Sequence, residues 1–143
     1  MKKKTVIHYE LELLPSSIFI FFNYKEKDKA EIYNILQNTL ITATRALALI
    51  KKIDDVNLDE DRGLSFESGP VQVIILREFD IRNTESLTLL NHEMTHLVYG
   101  IGNYIGATFS NDSEEFYTNI QEYLTNKILK DYKNNVRNNN KQH

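Results

Sequence analysis

Residues 87–101 read Leu-Thr-Leu-Leu-Asn-His-Glu-Met-Thr-His-Leu-Val-Tyr-Gly-Ile. This stretch predicts an amphipathic helix that carries two histidines and a glutamate. Its apolar residues recur at helical spacing and predict one buried stripe, formed by Leu87, Leu90, Met94, Leu97, Val98 and Ile101. His92, Glu93 and His96 lie on the opposite face of the same helix. The helix can therefore be held by one face while it presents two imidazoles and a carboxylate on the other.

The flanking residues indicate where this helix begins and ends. Asn83 or Thr84 can cap its start, and Glu85 in the first turn suits the helix dipole. Gly100 and Gly102 follow the stripe as stop signals. We therefore expect the helix to end at these glycines.

The spacing of the two histidines indicates a metal site. His92 and His96 are four residues apart, so they lie one turn apart on one face and can converge on a single ion. Glu93 projects beside that ion, where it can serve as a general base for a water molecule. The trio predicts one zinc ion (Zn2+) per chain. The alternative is a pair of surface histidines beside a surface glutamate.

A catalytic zinc usually takes three protein ligands and one water. The chain has no cysteine, His8 falls in a predicted strand, and His143 ends an Asn-rich tail. The extended metzincin pattern is excluded, because Tyr99 and Gly102 occupy the positions where it needs a glycine and a histidine. The third ligand is therefore expected from a carboxylate further along the chain.

A second helix is predicted to begin after Asp112 or Ser113, either of which can cap it. Here the sequence resembles the gluzincin metallopeptidases, whose second helix carries a ligand glutamate, a small residue three positions on and an Asp or Asn at four. Glu115, Thr118 and Asn119 fit that pattern. The resemblance implies an α+β fold of the small zincin-like kind.

The resemblance also implies the roles of individual residues. Zinc would be held by His92, His96 and Glu115, and Asn119 would hydrogen-bond a ligand histidine. Glu93 would act as the general base in peptide-bond hydrolysis. The class also uses a Tyr or His to stabilise the oxyanion, and the candidates here are Tyr104, Tyr117 and Tyr123.

The choice of the third ligand has alternatives. The apolar stripe of the second helix is predicted to comprise Phe116, Ile120, Tyr123, Leu124 and Ile128. Glu114 flanks that stripe, whereas Glu115 lies opposite it, so Glu114 is an alternative ligand and Asp112 a third one. A simpler interpretation of the two glutamates is a first-turn acidic pair that stabilises the helix dipole.

The stretch Glu114-Glu115-Phe116 resembles a segment of short metallopeptidase domains in bacterial polymorphic toxins and secreted effectors. The resemblance covers about residues 87–129 and departs from the pattern after Phe116. It implies a bacterial toxin or effector protease. Two other functions stay open: an inactive binding module that keeps the fold, and a zinc hydrolase acting on a non-peptide amide.

Composition is that of one globular domain, which we place at residues 1–133, followed by a disordered Asn-rich tail at 134–143. The 143 residues are 41% hydrophobic and 26% charged, and the net charge of −3 does not favour nucleic-acid binding. No apolar run is long enough to span a membrane, and the basic start lacks the apolar region of a signal peptide. We expect a cytoplasmic protein or one secreted by a non-Sec route, with no prediction of oligomeric state.

The rest of the chain predicts a framework for the site. Strands at Thr5–Leu14 and Ile18–Tyr24 form an N-terminal hairpin, and Glu26–Ile53 forms one long helix. The core face of that helix is predicted to comprise Ile32, Ile35, Leu36, Thr39, Leu40, Ala43, Leu47 and Ile50. Asp54–Pro70 is the main loop. Val71–Leu76 is a compact strand, which the gluzincin resemblance makes an edge strand that binds an extended peptide substrate.

Overall fold

The computed structural model describes residues 2–11, 16–39, 41–107 and 110–141, of which 139–141 are described by their main chain alone. The described chain is a mixed α/β domain with a four-stranded sheet and four α-helices, in agreement with the predicted α+β class. The elements are β1 (Thr5–Leu11), β2 (Ser16–Phe22), a 3-10 turn (Glu26–Asp28), α1 (Lys29–Gln37), α2 (Ala43–Asp54), β3 (Gly63–Ser68), β4 (Val71–Leu76), α3 (Thr84–Tyr104) and α4 (Glu114–Lys141).

The sheet has the strand order β1-β2-β4-β3. The pairs β1–β2 and β3–β4 are antiparallel, and β2–β4 is parallel, with Ser17 opposite Val71 and Phe22 opposite Leu76. The predicted N-terminal hairpin is confirmed by the β1–β2 register, in which His8 is a strand residue opposite Phe19. Residues 12–15, between these two strands, lie outside the described residues.

Helices cover both faces of the sheet, so its central strands are buried on both sides. In β2, Phe19 and Phe21 pack against α1 and α2, while Ile18, Ile20 and Phe22 face α3 and α4. This explains why β2 and β4 have no polar alternation: a strand covered on both faces needs apolar residues throughout. Gln72 is the one polar exception in β4.

The prediction of one long helix at Glu26–Ile53 is wrong, because the helix is interrupted between α1 and α2. Thr39 Oγ1 donates to the carbonyl of Leu36 at the end of α1 (2.9 Å), and the Thr42 side chain caps the start of α2. The break changes the helical phase, so Leu47 is 60% exposed where the sequence predicted a core residue. The core residues of α2 are Ala46, Leu49 and Ile53. Leu40 lies outside the described residues.

The predicted loop Asp54–Pro70 is wrong for its second half, which forms β3. Leu64 and Phe66 pack on the α1–α2 side, whereas Gly63 lies against Glu93 of α3. With only two large apolar residues, β3 resembles a polar connection in sequence. Gly69, at φ +56°, then turns the chain into β4.

The prediction that Val71–Leu76 is an edge strand is also wrong. This strand, β4, pairs with β2 on one side and with β3 on the other, and all six of its residues are buried. Its main-chain groups are therefore used within the sheet. The edge on this side of the sheet is β3.

Two helices extend further than the sequence indicated. Asn83 caps α3 as predicted, since its side chain accepts from Glu85 N and Ser86 N, but α3 continues through Gly100 and Gly102 to Tyr104. The Asn-rich segment after Tyr132 is helical as far as Lys141, where we expected a frayed tail.

The buried face of α4 also differs from the predicted stripe. Phe116 and Tyr123 are exposed, and the buried residues are Tyr117, Leu124, Ile128 and Tyr132. Within the described chain, none of the helices is long and apolar enough to cross a membrane.

Candidate metal centre

The two histidines of α3 converge as their spacing predicted. His92 Nε2 and His96 Nε2 lie 3.2 Å apart, and the two rings are nearly perpendicular at 79°. In a tetrahedral site with Zn–N bonds of about 2.0–2.1 Å, two nitrogen ligands lie about 3.3–3.4 Å apart. The two imidazoles therefore have the separation of one edge of a zinc site.

The apolar side of α3 explains why both rings face outward. Leu90, Met94, Leu97, Val98 and Ile101 are at most 2% exposed and hold α3 against the sheet and α4, whereas His92 and His96 are both exposed. The predicted stripe is thus confirmed. A metal ion could approach the pair without any rearrangement of the core.

Glu93 does not share the exposed face of His92 and His96, contrary to the prediction from the sequence. It is 4% exposed and lies next to Gly63 at the start of β3, where a Cβ would be 3.3 Å from Glu93 Cγ. The glycine leaves room for the glutamate between α3 and the edge strand. A carboxylate held in this way has few alternative positions, which suits a general base.

Helix α4 is fastened to α3 beside the first histidine. Gln121 Nε2 donates to Asn91 Oδ1 (3.0 Å) and to Thr95 Oγ1 (2.9 Å), and it also reaches the main-chain oxygen of Asn91 (3.3 Å). Asn91 and Thr95 flank His92 in sequence and along the helix. Gln121 therefore fixes which level of α4 lies beside the histidines, and sequence analysis did not single it out.

The structure does not bring a predicted third ligand to the histidines. Glu114 and Glu115 are both exposed at the start of α4, as is Asp112 before it. In the described parts of the chain, no cluster of three or more His, Cys, Asp or Glu side chains could hold a metal ion. Asn119, the predicted hydrogen-bond partner of a ligand histidine, is exposed as well.

Glu122 is a further candidate that sequence analysis missed. Residues 122–126 read Glu-Tyr-Leu-Thr-Asn and repeat the spacing of Glu-Phe-Tyr-Thr-Asn at 115–119, with a Thr at +3 and an Asn at +4. This second copy of the pattern was the available signal. Glu122 is exposed, as Glu114 and Glu115 are, and it directly follows Gln121, the residue that contacts Asn91 and Thr95.

The three predicted oxyanion donors lie in different surroundings. Tyr117 is buried and donates to the Ala107 carbonyl (3.0 Å), while Tyr104 and Tyr123 are 44% and 63% exposed. None of the three lines the cleft that contains His96. Tyr99, which the sequence analysis did not propose, does line it.

A cleft of about 270 Å³ lies between β3 and α3 beside His96. It is lined by Ser65, Phe66, Glu67, Gln72, His96, Tyr99, Gly100 and Asn103. One wall is thus the edge strand, and the floor is the helix that carries the two histidines.

The main chain of the edge strand faces outward at alternate residues. Arg77 N donates to Arg62 O (3.0 Å), which sets the phase of the β3–β4 ladder. In an antiparallel ladder, hydrogen-bonded pairs alternate with pairs whose main-chain groups point away from the partner strand. The outward groups in β3 are therefore those of Gly63, Ser65 and Glu67, and Lys52 Nζ bonds the outward carbonyl of Glu67.

Comparison with known protein families, with curated proteins and with solved structures found no match for this chain.

Proposed function

We propose that this protein is a zinc-dependent metallopeptidase with a small zincin-like domain of the gluzincin type. The observation that carries the proposal is the 3.2 Å separation of His92 Nε2 and His96 Nε2, with buried Glu93 between them in sequence. A bacterial toxin or effector role is part of the proposal and rests on the Glu114-Glu115-Phe116 resemblance alone.

The position of β3 supports a peptide as the substrate. An extended peptide can add to a free sheet edge through main-chain hydrogen bonds. The outward groups of Gly63 and Ser65 lie on the side of the sheet edge nearest Glu93 and His96. In our proposal β3 takes the role that the sequence assigned to Val71–Leu76.

His92 and His96 would hold the zinc, and the third ligand would come from α4. A bound zinc would lower the pKa of its water and polarise the scissile carbonyl. Glu93 would accept a proton from the attacking water and pass it to the departing amine. Tyr99 is the tyrosine that lines the cleft with His96 and is the preferred candidate to stabilise the oxyanion.

Two glutamates compete for the third position, and the contacts of α4 favour Glu122 over Glu115. Gln121 sets the level at which α4 meets the helix of His92, and Glu122 follows it directly. Glu115 lies six residues before Gln121, which is about 9 Å along a helix axis. Glu115 and Glu114 stay alternatives on the strength of the gluzincin pattern.

The proposed reaction is tested by comparing the wild-type protein with Glu93→Gln, both loaded with zinc. Each is added to a denatured bacterial or eukaryotic proteome, and new protein N-termini are counted by mass spectrometry. We expect new termini with the wild type and at least a 100-fold lower yield with Glu93→Gln, since general-base catalysis contributes about 10²–10⁴-fold. Glu85→Gln, an equal charge change on the exposed first turn of α3, is the control.

Other outcomes would favour the two alternative functions. An inactive binding module would give no new termini with either protein. A hydrolase of a non-peptide amide would also spare proteins but would release amine from cell-wall or small-molecule amides in a manner that requires Glu93. Failure to bind zinc at close to one ion per chain would reject both the peptidase and the amide hydrolase.

A further inference from the structure

Gln72 is out of place in its surroundings. It lies in the central strand β4, is 3% exposed, and has apolar neighbours throughout the strand. Its Nε2 is buried without a hydrogen-bond partner in the described structure. Burying an unpaired amide is unfavourable, so a fold gains nothing from a glutamine here unless the side chain has another use.

Glu67 and Gly100 complete an arrangement around this amide. Glu67 is directly opposite Gln72 in the β3–β4 register, so both side chains leave the sheet on the same face. A Cβ on Gly100 of α3 would overlap both Gln72 Oε1 and Glu67 Oε2. The glycine therefore lets two acceptor oxygens approach the helix at the same point, next to each other.

The charges around the cleft are unbalanced. Among the described residues that line it, Glu67 is the one carboxylate, and there is no lysine or arginine. The Glu67 carboxylate forms no ion pair with any described residue, since Lys52 bonds its main-chain oxygen instead. Neither Gln72 Oε1 nor the Glu67 carboxylate accepts a hydrogen bond from a side chain in the part of the chain that the structure describes.

We propose that this cleft is a subsite for a basic side chain, lysine or arginine, of the peptide substrate, which deepens the proposed peptidase function and rests on it. The ammonium or guanidinium group would donate to Glu67 Oε2 and Gln72 Oε1, and charge-assisted bonds of this kind are the strongest in proteins. Its alkyl stem would lie along Tyr99 and Gly100.

The position of the cleft fits a side chain close to the scissile bond. Gly100 is one helical turn beyond His96, a rise of about 6 Å. Alternate residues of an extended strand lie about 6.8 Å apart on one face. A peptide added to β3 with its scissile bond near the histidines would therefore direct a neighbouring side chain toward Glu67.

The test measures peptide binding to zinc-loaded Glu93→Gln by fluorescence anisotropy, so that no turnover is required. The probes are labelled alanine hexapeptides with one central Lys, Arg, norleucine, Gln or Glu. We expect the Lys and Arg peptides to bind about tenfold more tightly than the norleucine peptide, as charge-assisted bonds predict. A double variant that combines Glu93→Gln with Glu67→Gln should lose that difference. Glu60→Gln, an equal charge change on an exposed turn outside the cleft, should leave it intact.

A second variant guards against a folding artefact. Gln72→Leu removes the buried amide and should keep or raise the unfolding midpoint, while it weakens Lys-peptide binding severalfold. Equal affinities for the Lys and norleucine peptides would overturn the subsite. So would a higher affinity for the Gln peptide than for the Lys peptide, or a preference for Lys over norleucine that persists in Glu67→Gln. A Lys preference in the absence of any cleavage by wild type would instead uphold the subsite and reject the peptidase.

Discussion

At the scale of single residues, local helix geometry places the two histidines of the candidate centre, whereas Glu93 is buried against a distant part of the chain. The four-residue spacing of His92 and His96 fixes their common face once the helix forms, because helical geometry is local. Glu93 is buried beside Gly63, which lies thirty residues earlier in the chain. Such a contact has no signature in either residue, since it arises only when β3 is placed at the sheet edge.

Zinc affinities of single variants test which residue is the proposed third ligand. We expect His92→Ala and His96→Ala to weaken zinc binding by more than the 10–100-fold typical of losing an outer-shell group. Glu122→Gln should weaken it more than Glu115→Gln, because Gln121 brings its neighbour to the level of His92. Isothermal titration with zinc measures each affinity, and His8→Ala, in β1, is the control. A larger effect at Glu115 would restore the assignment made from the gluzincin pattern.

At the scale of elements, strongly apolar segments were predicted well and weakly apolar ones poorly. The hairpin, the strand Val71–Leu76 and the histidine helix were identified because each has a clear periodic or continuous apolar pattern. The β3 strand has two large apolar residues, and its pairing partner supplies most of its definition. The break between α1 and α2 was not predicted, because the apolar residues on each side of it have helical spacing and the change of helical phase between them is not visible in the sequence.

The outward main-chain groups of β3 give a test of the proposed peptide binding. Ser65→Pro removes an outward N–H without removing a bond of the β3–β4 ladder, so we expect peptide binding to fall at least tenfold with only a modest loss of stability. Ser65→Ala keeps the N–H and is the matched control. Anisotropy with the alanine–lysine hexapeptide and urea unfolding measure the two effects. Unchanged binding by Ser65→Pro would exclude β3 as the docking strand.

At the scale of the whole molecule, the net charge conceals a strong asymmetry. Two neighbouring clefts of about 430 and 1060 Å³ share Lys2 and lie away from the histidines. Their basic lining residues are Lys2, Lys3, Lys4, Lys25, Lys27, Arg77, Arg82, Lys130, Lys133 and Arg137, against three carboxylates, Asp28, Glu78 and Asp80. The rest of the chain is correspondingly acidic, since the total is −3.

This asymmetry should be visible in chromatography. We expect the protein to be retained on a cation exchanger at pH 7 and low salt although its net charge is negative, because a local field governs adsorption. Lys133→Glu should elute at clearly lower salt, whereas Lys51→Glu, the same charge change on α2, should elute almost as the wild type does. Equal shifts for both variants would show that net charge alone controls retention.

The parallel pairing of β2 with β4 has a consequence for the order in which the protein folds. Ser17 and Val71 are 54 residues apart, so closing that loop costs about 3.5 kcal/mol of chain entropy beyond a constant term. The elements of the candidate centre, β3 to α4, form one continuous segment with short connections. In refolding followed by pulsed hydrogen exchange, we expect β3–β4 and α3–α4 amides to be protected before those that join β2 to β4. The N-terminal half would then pair last, and its docking would make the loosely formed segment from β3 to α4, which carries the candidate metal centre, rigid.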